Sequence, residues 1–386
     1  MVKMVMKSKI LLLILLLIQQ NSTLSNVQLN NQPNCYSWAV IGAGVAGITA
    51  LAHLLECGID PATVAWIDPE FNIGRMGKYY RDVPGNVQTS RLLMYVHGCP
   101  YFKDITSPSL DALYTYNMDE YQPLHVITDP LTDFTAYLRA QVNSFQDTIP
   151  ALDHNGDYWV LHGTDGDINV QKVILAIGAY PKSLNYNIPE IPLDDSLNKE
   201  KLATYVSADD CVAVFGGMHS AILILKFLAE YCSVKEIINF YIDPYFYGAP
   251  GLEGATAAWA QNVLEANPPS NLSRVLSTPE NRKAILPRCT KAIYAIGYLP
   301  NPILVNGSPD LLFDENNGII GQDLYGIGIA FPPTGIINGQ KIARNGLMTY
   351  LAYAKKLVPQ WVNNERFKEP TSSHYGIDTD QELPWI

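Results

Sequence analysis

From residue 38 the chain alternates short unbroken apolar runs with stretches of helical spacing. Trp38-Ala-Val-Ile41 ends directly in Gly42-Ala43-Gly44-Val45-Ala46-Gly47, Ile48 to Cys57 is spaced as an apolar helix, and Thr63-Val-Ala-Trp-Ile-Asp68 is a second apolar run closed by an acid. Continuous apolar runs separated by a helix predict parallel strands buried on both faces. The pattern returns at Cys211-Val-Ala-Val-Phe215, with a turn over Gly216-Gly217-Met218-His219-Ser220-Ala221, a helix to about Tyr231 and a strand over Glu236–Asp243. Two segments share one layout, Lys172-Val-Ile-Leu-Ala-Ile-Gly178-Ala-Tyr-Pro181 and Lys291-Ala-Ile-Tyr-Ala-Ile-Gly297-Tyr-Leu-Pro300. Asp323 to Pro332 reads as an apolar stretch opening a loop, Ile342 to Leu357 as an amphipathic helix, and the proline-rich residues 187–192 and 268–269 as loops.

The glycine spacing carries chemistry. Gly42 permits a tight turn after the strand, Gly44 lets backbone approach a pyrophosphate, Gly47 lets helix and strand pack closely, and the helix N-terminus faces the phosphates. Asp68 at the next strand end is placed to accept ribose hydroxyls. Strand, triplet, helix and acid together predict a bound dinucleotide. The second turn is weaker, because Met218 stands where the middle glycine would be and would crowd a pyrophosphate. Asp243, with no arginine beside it in sequence, favours a free ribose hydroxyl and so NADH over NADPH.

The 386 residues, 48% of them hydrophobic, allow two domains with substantial cores. A net charge of -11 without Lys/Arg clusters argues against a nucleic-acid partner. Lys3, Lys7 and Lys9 before the apolar run Ile10–Ile18 give residues 1–25 the layout of a signal peptide. Its nine apolar residues fall short of the ~20 that span a bilayer, so membrane attachment is expected only if this segment stays uncleaved, and the secretory pathway (secreted, periplasmic or lumenal) is the expected location. The six cysteines show no Cys-x-x-Cys pair and no metal-ligand spacing; if disulfides form in an oxidising compartment, Cys35 is the favoured member.

These residues together resemble the flavoproteins with two dinucleotide-binding domains, the pyridine nucleotide-disulfide oxidoreductases and flavin-dependent monooxygenases, over residues 38 to 358. The resemblance implies an α/β fold of two Rossmann-like βαβ domains, the second inserted into the first. An FAD-binding domain would span 36–200 and 290–368, an NAD(P)-binding-like domain 205–289, and an irregular tail 369–386. FAD would lie on Gly42 to Gly47 and Asp68, with Gly74, Arg75 and Met76 near its pyrophosphate and ribityl, and Asn86, Gln88 and Thr89 near the ring. Gly178 and Gly297 would mark the crossings between domains, and Gly328 and Ile329 would pass the isoalloxazine. NAD(P)H would meet Gly216, Gly217, Ser220 and Ala221. His219, unless it is loop surface, would donate to a phosphate or take part in proton transfer. The run Tyr241, Tyr245, Phe246 and Tyr247 reads as an interface or pocket wall.

The departures are informative too. Without a cysteine pair a dithiol relay is not expected, and the Phe-x-Gly-x-x-x-His signature of many monooxygenases is missing, with Lys201-Leu-Ala-Thr-Tyr-Val-Ser near its place. The expected function is an FAD-dependent, NAD(P)H-dependent, monooxygenase-like oxidoreductase acting on a small organic substrate, with Asn86, Gln88 and His219 as candidate catalytic groups and no metal. The alternative is a non-catalytic flavin-binding scaffold whose degenerate second site has lost the nicotinamide.

Overall fold

The computed structural model describes residues 35–243, 247–248, 251–337, 340–363 and, for backbone alone, 374–375. The expected signal segment, Tyr245 and Phe246 and nearly all of the tail lie outside the described residues. Among those described, no helix is long and apolar enough to cross a membrane.

β1 (Cys35–Ile41), α1 (Val45–Glu56) and β2 (Val64–Ile67) form the first βαβ unit, the strands parallel with Trp38 opposite Val64 and Ile41 opposite Ile67. The chain then makes a long excursion through α2 (Gly74–Tyr79), β3 (Pro84–Gln88), α3 (Thr89–Gly98), α4 (Pro108–Leu113), β4 (Tyr121–Pro123) and α5 (His125–Arg139). It returns as β5 (Asn143–Phe145) beside β2, then runs as the antiparallel meander β6 (Ala151–His154), β7 (Trp159–His162) and β8 (Asp167–Leu175), with β8 beside β1.

β9 (Ala179–Pro181), α6 (Leu193–Ser196) and α7 (Lys199–Tyr205) lead into a second sheet, made of β10 (Cys211–Phe215), α8 (His219–Tyr231), β11 (Glu236–Tyr241), α9 (Gly254–Trp259), β12 (Leu272–Leu276), α10 (Pro279–Ile285) and β13 (Lys291–Tyr294). Its strand order is β12-β11-β10-β13 and every pair is parallel. β14 (Tyr298–Pro300) then pairs antiparallel with β9, Leu299 opposite Tyr180, so the two segments of shared layout meet as one ribbon. The chain re-enters the first sheet through β15 (Leu304–Val305) on β6, and, after β16 (Leu311–Leu312), through the hairpin β17 (Ile319–Gly321) and β18 (Leu324–Gly326), with β18 on the second half of β8. Nine strands from 35–175 and 304–326 thus enclose, in sequence, the four from 211–294. The fold is α/β with two Rossmann-like units, one inserted within the other.

Alternation sets the core. In β1, Trp38 and Val40 join the cluster under α1 while Ala39 and Ile41 join the cluster on the opposite face; in β10, Val212 and Val214 face one way and Cys211, Ala213 and Phe215 the other. Both faces of each sheet are covered, which is why the strands read as unbroken apolar runs.

One expected element is displaced. The helix predicted from Ile342 begins at Leu347 as α11 (Leu347–Val362), and residues 340–343 form instead β20 (Gln340–Ala343), hairpinned on β19 (Thr334–Ile337). Gly346, at φ +126°, breaks the helical path between them, while Pro359 sits in the last turn without ending it.

Candidate functional site

The first turn is built as its glycines require. Gly42 has φ +111°, and a Cβ there would lie 2.2 Å from the carbonyl oxygen of Ala176, while a Cβ on Gly47 would lie 2.0 Å from the carbonyl oxygen of Gly42. Gly44 differs, since a Cβ there meets nothing within 4 Å and the open space lies at the N-terminus of α1. No side chain caps that helix and its first turn holds no acid, so its leading N–H groups remain for an anion. Val45 packs partly into the core and Ala46 is buried.

Asp68 is more enclosed than a ribose ligand needs to be. Its carboxylate, 9% exposed, accepts hydrogen bonds from the N–H groups of Ala43 (2.7 Å), Glu70 (2.8 Å) and Phe71 (2.6 Å). It thereby ties the glycine turn to the segment after β2, with about one of its four acceptor positions remaining. In that segment Phe71 and Ile73 hold left-handed φ values of 50° and 51°, followed by Gly74 at 57°. A β-branched residue in that conformation is strained. The strain brings residue 74 against the opening, a Cβ on Gly74 lying 3.4 Å from Cα of Gly44. On another side Gly328 (φ +98°) approaches the first turn of α1, where a Cβ would come within 2.8 Å of Cβ of Ala46, and Ile329 is half-buried beside it. An uncapped helix end, an open glycine and two loops at close quarters suit a dinucleotide pyrophosphate.

The residues expected along the flavin divide. Arg75 turns to Asp194 in an ion pair, and Tyr80 donates to the same carboxylate while its hydroxyl lies 3.0 Å from that of Tyr298. Burial opposes the Arg75 charge, yet Tyr80 and Asp194 hold its pKa above the ordinary value; burial raises Tyr80 and Tyr298. The Arg75 charge is thus matched by a carboxylate 119 residues away, while its backbone follows Gly74 beside the opening. Met76 packs against the core cluster under α1. Pro84-Gly85-Asn86 opens β3, which pairs with β4 in an irregular register. Thr89 is fully buried and its Oγ1 donates to the carbonyl of Glu120 (3.3 Å), and Gln88 Nε2 donates to that of Asp119 (3.2 Å). The half-buried Asn86 side chain makes no hydrogen bond among the described residues.

At the second turn Gly216 (φ +129°) abuts the carbonyl oxygen of Ala295, where a Cβ would come within 2.4 Å, and Gly217 faces the backbone of Asp243, where a Cβ would lie 3.6 Å from its carbonyl oxygen. Met218 is the extended residue before α8 and is 47% exposed, while Ser220 is half-buried and Ala221 buried. Asn239, fully buried in β11, donates to the carbonyls of Gly216 (2.7 Å) and Val214 (3.1 Å) and accepts from Nε of Arg274 (2.9 Å). The Arg274 guanidinium lies 4.2 Å from the Tyr241 ring centroid. An arginine delivered by β12 therefore stands beside Tyr241, two residues before Asp243 in the chain.

His219 reaches away from its own turn, with Nδ1 2.8 Å from Oγ1 of Thr256 and Nε2 3.2 Å from the carbonyl oxygen of Pro84 at the start of β3. Burial lowers its pKa and the Pro84 carbonyl offsets part of that. It is a tether between the β3 strap and α8 rather than loop surface. Gly178 (φ +71°) and Gly297 (φ +98°) flank the crossing ribbon, with Lys182 N–H donating to the Gly297 carbonyl (3.0 Å) and Asn301 N–H to that of Gly178 (3.1 Å). Cys35 is exposed, and the thiols brought together are Cys211 and Cys289, 3.7 Å apart and both buried. No cluster of metal-ligating side chains occurs among the described residues.

Sequence reasoning missed Asp194, Asn239 and Arg274, and nothing local marks them. It also missed a cavity of about 710 Å³ between the β3 strap, α7, α8 and α9, with His219 and Pro84 at one end.

A family model described as FAD-NAD(P)-binding matches residues 39–180. Monooxygenase AgnR1 of Paecilomyces divaricatus is 26% identical in an alignment that covers 84% of this chain and 97% of that protein. Among solved structures, bacillithiol disulfide reductase of Staphylococcus aureus superposes with a TM-score of 0.55 at 11% identity, over 86% of this chain and 99% of its own. The flavin-containing monooxygenase of Stenotrophomonas maltophilia does so at 0.53 and 14%, over 85% and 98%. At such identities these two likenesses speak for the fold.

Proposed function

We propose that this chain, which belongs to the FAD/NAD(P)-binding flavoproteins with two dinucleotide-binding domains, is an FAD-dependent, NAD(P)H-dependent oxidoreductase of monooxygenase type acting on a small organic molecule. The observation that carries the reading is the pair of glycine turns, each between the C-terminal end of a parallel strand and the helix that follows, with the β3 strap tethered to the second through His219 and Pro84. The chemistry supplied by the bound group is hydride transfer from NAD(P)H to the flavin and electron transfer from there to oxygen or a small organic acceptor.

The chain's own residues bind and orient. Gly44 would give the FAD pyrophosphate room at the α1 N–H groups, Gly42, Gly47 and Gly74 allow the close backbone packing that shapes the turn, and Asp68 holds the turn with one acceptor position left for the ribose. Asn86 and Gln88 with Gly328 and Ile329 would border the ring, Thr89 anchors the strap behind them through the Glu120 carbonyl, and Asn86, with its amide unengaged, is the group best able to hydrogen-bond the ring. Gly216, Gly217, Ser220 and Ala221 would receive the nicotinamide nucleotide at the start of α8, where the exposed Met218 takes the place of the middle glycine. The scaffold alternative rests on Met218 and on Ile177 and Ile296, which stand where the crossing segments of the resembled flavoproteins carry threonine. We further propose that residues 1–25 direct the chain into the secretory pathway, which the mass of the mature N-terminus tests.

Anaerobic mixing of the FAD-loaded protein with NADPH or NADH tests the main reading. Oxidised-flavin absorbance is expected to bleach with at least one of them; a flavin that neither bleaches sinks it.

A further inference from the structure

The 710 Å³ cavity lies within the range of small-molecule sites, and its wall has a direction. Along α8 it is lined by His219, Leu223, Lys226, Phe227 and Tyr231, which share one helix face. Leu223 and Phe227 are 2% and 7% exposed and make an apolar floor. His219 and Pro84 close the end next to the strap residues assigned to the flavin ring.

The rim is basic in a chain of net charge -11. Three of its cations are closely engaged, Lys78 by Glu70, Arg81 by Asp129 at 2.7 Å and Lys201 by Asp195 at 3.0 Å. Two are held loosely: Lys199 lies 3.7 Å from Glu200 and 4.6 Å over the Tyr231 ring, and Lys226 lies 4.0 Å from Glu230. Both loosely held cations stand at the end away from His219. Seven residues of α8 separate His219 from Lys226, about 10 Å at 1.5 Å per residue, roughly the length of a fused two-ring aromatic.

We propose that this cavity binds an aromatic organic acid, its carboxylate on Lys199 and Lys226, its ring over Leu223 and Phe227, and its far end at Pro84 and His219. The placement of the far end beside the flavin rests on the function proposed above; the anion preference does not. A nicotinamide nucleotide is also an aromatic anion, so the test separates the two.

The FAD-loaded protein is titrated with 2-naphthoate, followed by the ligand's own fluorescence, and with the neutral isostere 2-naphthamide. Naphthoate is expected to bind at least about ten-fold more tightly, a preference that shrinks with added salt. The Lys199→Met/Lys226→Met variant should lose the preference while its affinity for the amide stays as in the parent. Equal affinities in the parent, a preference that survives the double substitution, or displacement of naphthoate by NADP+ would each overturn the proposal. A chain that retains no FAD yet keeps the preference would sink the flavin reading and leave the acid site standing.

Discussion

Gly42 and Gly44, two residues apart, answer to different demands. A side chain at 42 meets backbone, the carbonyl of Ala176, and also requires φ +111°; a side chain at 44 meets only the opening. Gly42→Ala should therefore destabilise the flavin-free protein by about 3 kcal/mol or more, read from urea unfolding. Gly44→Val should leave that unfolding curve nearly unchanged and weaken FAD binding at least about ten-fold, read by fluorescence titration. If both variants unfold early, position 44 is structural and the opening is no cofactor site. At this scale the sequence was legible wherever backbone conformation dictates residue type, as at the glycine turns. It was not legible where a partner comes from far along the chain: nothing near Arg75 announces Asp194, and nothing near Asp243 announces Arg274.

Among elements, the second βαβ unit depends on one buried amide. Asn239 in β11 joins the turn before α8 to Arg274 in β12, so a single side chain ties the nucleotide turn to a neighbouring strand. Asn239→Leu leaves two carbonyls short of a donor and should cost about 2–3 kcal/mol. It should also weaken NAD(P)H binding without changing FAD affinity, measured by separate titrations; equal loss of both would show a general unfolding instead. The strands and their order of use were readable from apolar runs and from the twin layouts ending at Pro181 and Pro300. That those layouts pair with one another is tertiary information. The start of α11 was misplaced because Ile342 fits the helical spacing by chance, whereas its strand partner Gly335 lies back along the chain.

Across the molecule, one buried and one half-buried histidine make stability depend on pH. His53 in α1 donates its Nδ1–H to the Thr49 carbonyl (2.8 Å) and His219 tethers the strap, and burial lowers both pKa values, with the carbonyls of Thr49 and Pro84 offsetting part of it. Above pH 6.5 each is neutral whether the chain is folded or not. As pH falls below 6.5 the unfolded chain takes up protons that the folded chain resists, so stability declines until pH passes the folded values. The urea midpoint should therefore drop between pH 7.5 and 5.5, and His53→Gln with His219→Gln should flatten that drop; an undiminished slope in the double variant would refute the assignment.

The insertion of one sheet within the other has a consequence for biosynthesis. The same edge of β8 is covered by β7 over Asp167–Val170 and by β18 over Val173–Leu175, and β18 is encoded after the whole inserted sheet. On a ribosome adding roughly 5–20 residues per second, the inner sheet has its four strands once residue 294 has emerged, while the outer one waits for 324–326. Folding is thus completed from the inside out, and during that interval Val173–Leu175 is an apolar strand edge awaiting its partner, the stretch on which a nascent chain most needs protection from mispairing.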